Sequence, residues 1–123
     1  VAVVLQDTRG KYGSEGKFYP FINERQDGLA TLRWIRSQPW SDGRVAGWGA
    51  SYVGYTQWAI SDSLDFMTLL LTGSRIYDLT YPDSLFSLQT AFLWGTENAS
   101  DKLNKIDSAR RAKAIIALIF SLE

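Results

Sequence analysis

The sequence predicts an α/β protein, with a partial parallel sheet in the order β-α-β-α-β over residues 1–73 and an all-helical region over residues 74–123. Three observations lead there. A continuous apolar run at 1–5 and a largely apolar one at 67–72 have the length and composition of strands covered on both faces of a sheet. Between them, Leu29, Leu32 and Ile35 recur at helical spacing. In the last third, Leu103, Ile106, Ala109, Ala112, Ile116 and Ile119 keep three- and four-residue steps over a length no strand reaches.

In chain order, the first strand closes at Gln6 and Asp7, and residues 8–20, with Gly10, Gly13 and Gly16 among charges and aromatics, read as a loop. A helix follows over about 23–37 and stops before Pro39. Ser41-Asp42-Gly43 signals a turn, and residues 44–48 form a second short strand entering Gly49. A helix over 52–62 and a third strand at 67–72 complete the alternation, which predicts crossovers onto a parallel sheet with ligand chemistry at the carboxyl ends of the strands. Beyond Gly73 we expect a helix from Pro82 through about Trp94, a loop at 95–100, and a longer amphipathic helix whose charged residues form a solvated face.

Composition narrows the chemistry. Lys plus Arg and Asp plus Glu number 13 each, so no basic field exists to attract nucleic acid or an anionic membrane. With no cysteine and no histidine, thiolate and imidazole metal sites are excluded, and we expect neither metal nor cofactor. The apolar runs are far shorter than the roughly 20 residues of a spanning helix. The opening Val1-Ala2-Val3-Val4, with no Met and no basic segment before it, leads us to expect the middle of a longer polypeptide. Absence of cysteine favours the cytoplasm and fixes no compartment.

One motif carries chemistry. Gly49-Ala50-Ser51-Tyr52-Val53-Gly54 stands where a strand hands over to a helix. A nucleophile elbow needs that turn, because its strained backbone lifts a serine hydroxyl above the sheet and admits only small residues beside it. The helix start directs backbone N–H groups and a positive dipole end at the same place, so the Tyr52 amide can help hold an oxyanion. The motif has a second reading, since serine ahead of a helix is also a common N-cap. From the motif alone the two stand level. Asp7, Glu15, Asp27 and Asp42 could serve carboxylate catalysis, but acids in turns and first helical turns ordinarily belong to the scaffold.

Taken together, Gln6-Asp7-Thr8-Arg9-Gly10, Gly13-Ser14-Glu15-Gly16, Asp27 with Leu32 and Trp34-Ile35, Gln38-Pro39-Trp40, and Gly47-Trp48 leading into the serine motif resemble the cocaine-esterase and X-prolyl dipeptidyl-peptidase family of α/β-hydrolases. The match covers roughly residues 1–62. The resemblance implies an α/β-hydrolase core with its elbow at 1–73 and the start of a helical cap domain at 74–123. It implies Ser51 as nucleophile, the Tyr52 backbone N–H as half of an oxyanion hole, and a small ester or peptide substrate. It also implies that a tyrosine from an upstream loop supplies the other oxyanion donor, and that the triad's acid and histidine follow the cap. On that reading the polypeptide alone is inactive. The family's strand between those at 1–6 and 44–48 would be missing, so we expect homo-oligomeric or strand-swapped association.

Two other functions fit the composition: a non-catalytic binding or assembly module on the same scaffold, with 83–123 as its surface, and a small enzyme using Asp7 or Asp27. Substrate choice, esterase against peptidase, is not written in these residues.

Overall fold

The computed structural model describes residues 1–99. They form a mixed α/β structure in two compact units, residues 1–76 and a unit that begins at Tyr77. The helix expected over the last third of the chain, from 101 onward, lies outside the described residues.

In the first unit, α1 spans Glu24–Arg36. Its sequence suits both ends: Glu24 and Asp27 lie in the first turn, where the dipole favours anions, and Arg33 and Arg36 in the last, where it favours cations. Past its end Ser37 Oγ and Gln38 Nε2 donate to the Trp34 carbonyl at 2.8 and 3.0 Å, and Pro39 prevents continuation. The apolar stripe turns Leu32 inward, and with Ile60 it forms the buried apolar core of this unit.

The sheet has two strands, β1 (Ala46–Ala50) and β2 (Phe66–Leu70), with α2 (Ser51–Trp58) and a single 3-10 turn at Ser61–Ser63 between them. The strands are parallel, in register from Ala46 opposite Phe66 to Ala50 opposite Leu70. Asp65 sets that register: its carboxylate accepts the Val45 N–H at 2.8 Å while its own N–H donates to the Val45 carbonyl at 3.0 Å. Arg36 ties α1 to both strand entries, donating to the carbonyls of Gly43 and Ser63 at 3.0 and 2.8 Å. One sheet face buries Gly47 and Gly49 beneath α2. On the other face Trp48, Phe66 and Leu70 are exposed.

The strand expected at 1–5 is absent from this sheet. Residues 1–8 have no regular structure, and Val1–Leu5 are exposed. An apolar run becomes a strand only where its N–H and C=O groups find a ladder partner, and among the described residues β1 pairs with β2 alone. The order observed here is therefore α-β-α-β. The segment is attached instead through side chains, Thr31 Oγ donating to Gln6 Oε1 and Arg9 gripping Asp27. The loop behind it is folded on itself. Gly10 donates to the Glu15 carbonyl at 2.9 Å in a left-handed conformation (φ 74°), and a Cβ there would lie 2.4 Å from the Phe18 nitrogen. Lys11, buried, places its ammonium 4.5 Å from the centre of the Phe18 ring.

The unit from Tyr77 takes up most of α3 (Ile76–Thr80), then a 3-10 turn at Pro82–Ser84 and α4 (Leu88–Ala99). Tyr77 and Tyr81 stack with ring centres 4.8 Å apart. The helix expected from Pro82 to Trp94 is broken at its start, because Asp83 and Ser84 take left-handed conformations (φ 52° and 66°) that no α-helix can carry through. The loop expected at 95–100 is corrected too: Gly95 lies inside α4, since the roughly 1 kcal/mol a glycine costs in a helix does not by itself stop one. No helix among the described residues is long and apolar enough to cross a membrane.

Candidate active site

The junction between β1 and α2 is a single residue wide. Ala50 ends the strand in an extended conformation (φ −113°, ψ 153°), and Ser51 begins the helix with φ 53°. A left-handed backbone is uncommon for a residue with a Cβ and costs on the order of 1 kcal/mol or more. Its effect is to reverse the chain within one residue and leave the Ser51 side chain exposed. The backbone is not that of an N-cap, which is extended and whose side-chain oxygen accepts an amide hydrogen bond. The extended position belongs to Ala50, and no side chain caps α2.

Close packing behind the turn requires its glycines. A Cβ on Gly49 would lie 2.7 Å from the Val53 carbonyl carbon and 2.8 Å from the Gly54 nitrogen. A Cβ on Gly54 would lie 3.0 Å from the Gly49 carbonyl oxygen. The two glycines thus bring the first turn of α2 down onto the end of β1. Tyr52 stands in that turn, at the end of α2 where backbone N–H groups point outward and the dipole is positive.

The Tyr52 side chain is held from several directions. Its hydroxyl donates to Glu24 Oε1 at the start of α1 and accepts the Phe21 backbone N–H at 3.4 Å. Its ring lies 5.0 Å from Phe21 and 6.0 Å from Phe18, and Phe21 meets Tyr55 edge-on at 4.9 Å. Burial, reinforced by the hydrogen bond to Glu24, pushes the phenol well above its ordinary pKa, so it remains a donor. Glu24 is only 7% exposed, and its Oε2 has no hydrogen-bond partner among the described residues. Sequence reasoning did not find Glu24. An acid in a first helical turn is commonplace, and nothing local signals that this one is buried against a residue 28 positions on.

The other acids take part in local structure. Asp7 Oδ2 accepts the Gly13 N–H at 3.3 Å. Asp27 accepts from Arg9, whose Nε lies 2.9 Å away, and that bond holds its carboxyl below the usual range against the opposing effect of burial. Asp42 accepts the Arg44 backbone N–H at 3.0 Å as well as its guanidinium. A cavity of about 510 Å³ opens beside Arg9, Asp27, Thr31 and Trp34, and Ser51 does not line it. Among the described residues no group of three or more His, Cys, Asp or Glu side chains could hold a metal ion. The geometry therefore brings Ser51 and the Tyr52 amide together, with neither Asp7 nor Asp27 in hydrogen-bond contact with the serine among the described residues.

Comparison with known proteins gives a family and a relative. The family model described as X-Pro dipeptidyl-peptidase (S15 family) matches residues 1–118. Cocaine esterase from Rhodococcus sp. (strain MB1 Bresler) is 53% identical over 57 residues, which is 46% of this chain and 10% of that protein. The aligned stretch thus spans about a tenth of the relative's length.

Proposed function

Because this chain belongs to the X-Pro dipeptidyl-peptidase (S15) family, we propose that it carries the nucleophile elbow of a serine hydrolase acting on esters or on peptides, with Ser51 as the nucleophile. The observation that supports this reading is the left-handed backbone of Ser51 between β1 and α2, packed behind by Gly49 and Gly54. Strain of that kind persists only where the surroundings hold it, and at a strand-to-helix turn its product is an exposed hydroxyl.

In the proposed reaction Ser51 Oγ attacks the carbonyl carbon of an ester or amide, and its proton passes to a base. The carbonyl oxygen becomes an oxyanion stabilised by the Tyr52 backbone N–H at the positive end of α2, and by a second donor outside residues 1–123. Collapse of the tetrahedral intermediate expels the alcohol or amine, which takes the proton, and leaves an acyl-serine that water then hydrolyses. The sequence has no histidine, so the base and its acid come from elsewhere in a longer protein. Residues 1–73 are on this reading part of an α/β-hydrolase core, and 74–123 begin a helical cap that governs substrate choice.

Fluorophosphonate labelling of the full-length protein tests the assignment. Modification at Ser51, abolished in Ser51→Ala, is the expected result. Labelling that survives Ser51→Ala, or hydrolysis by residues 1–123 alone that depends on Ser51, would remove the reading.

A further inference from the structure

Glu24 is a carboxylate that the proposed chemistry leaves unused. It sits at the first position of α1, is more than nine-tenths buried, and has one oxygen receiving the Tyr52 hydroxyl and the other without a partner among the described residues. A buried carboxylate satisfied on one side only is an expensive way to stabilise a fold, and an apolar residue of similar size would cost less. An explanation other than stability is needed.

The chemistry of Tyr52 supplies one. Its side chain and its backbone N–H share one Cα, so whatever fixes the ring limits the orientation of the peptide plane joining it to Ser51. The ring is fixed at its far end by two hydrogen bonds of opposite sense, donated to Glu24 and accepted from Phe21, and by edge and tilted ring contacts with Phe18 and Phe21. We infer that Glu24 is a positioning residue for the oxyanion hole: through the Tyr52 phenol it holds the amide that follows Ser51 in the orientation the tetrahedral intermediate requires. This inference rests on the nucleophile reading above. Glu24 touches no substrate. It acts through Tyr52 alone, so the pair behaves as one unit.

The test is kinetic and uses the full-length enzyme. Tyr52→Phe removes the hydroxyl and keeps the ring; Glu24→Leu removes the acceptor and keeps the volume; Glu24→Gln keeps one carbonyl acceptor. For an ester substrate, kcat is expected to fall roughly 10- to 100-fold in Tyr52→Phe and in Glu24→Leu with KM little changed, as a displaced reacting group demands. Glu24→Gln falls between these and wild type. The double variant Tyr52→Phe/Glu24→Leu is no slower than either single one. Inhibition by phenylboronic acid, whose serine adduct is tetrahedral, weakens in step with kcat. Fluorophosphonate labelling of Ser51 in the wild-type enzyme separates the two ideas. If it is absent, the nucleophile reading and this inference fall together. If it is present while Tyr52→Phe leaves kcat and boronate inhibition unchanged, or the two single effects multiply in the double variant, only the role of Glu24 is overturned.

Discussion

Gly54 and Thr72 meet so closely that a Cβ on the glycine would stand 2.6 Å from Thr72 Cγ2 and 2.9 Å from its Cβ. Gly54 also faces the Gly49 carbonyl, so a side chain there has no direction in which to relax. Gly54→Ala is expected to destabilise the protein by about 1–3 kcal/mol, the usual range for overpacking. Gly95→Ala, in α4 where an added Cβ would meet no atom of the described residues within 4 Å beyond its own helix backbone, should stabilise by up to about 1 kcal/mol through helix propensity. Urea unfolding of the two variants checks the opposite signs.

Ser51→Gly should make the protein more stable while removing its proposed chemistry. Glycine accepts φ 53° without strain, and the relief exceeds the entropy glycine loses on folding, for a net gain of up to about 1 kcal/mol. Ser51→Ala keeps the strain and gains nothing. Thermal unfolding of the pair separates backbone strain from the loss of the hydroxyl.

Acid should weaken the first unit at a defined place. Asp27 is held below the usual carboxylate range by its hydrogen bond from Arg9, with burial opposing, and Asp42, Asp62 and Asp65 are lowered by their own partners. A lowered carboxylate contributes stability that is complete above its unfolded pKa of about 4 and is lost as pH falls through the folded value. Stability is therefore expected to decline below about pH 4, less steeply in Asp27→Asn. Arg9 is 45% exposed, so solvent screening keeps the contribution of the Arg9–Asp27 pair small. Denaturant midpoints from pH 2 to 6 give the comparison.

The polypeptide of residues 1–123, prepared alone, should self-associate. Trp48, Phe66 and Leu70 are 75, 67 and 63% exposed on one face of the sheet, and parallel strands are ordinarily covered on both faces. Phe66→Lys places a charge in that face and should shift light scattering toward the monomer. A monodisperse monomer for the unaltered chain would contradict the expectation.

What the sequence could reveal depended on how local each feature is. The strand-to-helix turn at Ser51 was legible because its demands are local: two glycines, a short strand before and a helix after, all within 46–58. The serine's left-handed backbone does not fit one of the two readings that its motif leaves level, because an N-cap needs an extended one. The apolar run at 1–5 announced burial and could not name a ladder partner, so it reads as a strand where none forms. Helix breaking at Asp83 and Ser84 depends on backbone conformations that neither residue type dictates. Glu24 and Tyr52 are joined across the interface of α1 and α2, and such a pairing becomes visible only once the helices are packed.

The parallel ladder also bears on the order of folding events. Every pairing between β1 and β2 is contained in the one stretch from Ala46 to Leu70, and α2 packs on both strands within it. Such a contiguous unit closes a short loop and forms ahead of more distant contacts. The turn at Ser51 then lies inside the folding nucleus. Alanine at Gly49 or Gly54 should slow refolding more than it hastens unfolding, giving φ-values well above those of exposed α1 positions such as Ala30 in stopped-flow experiments.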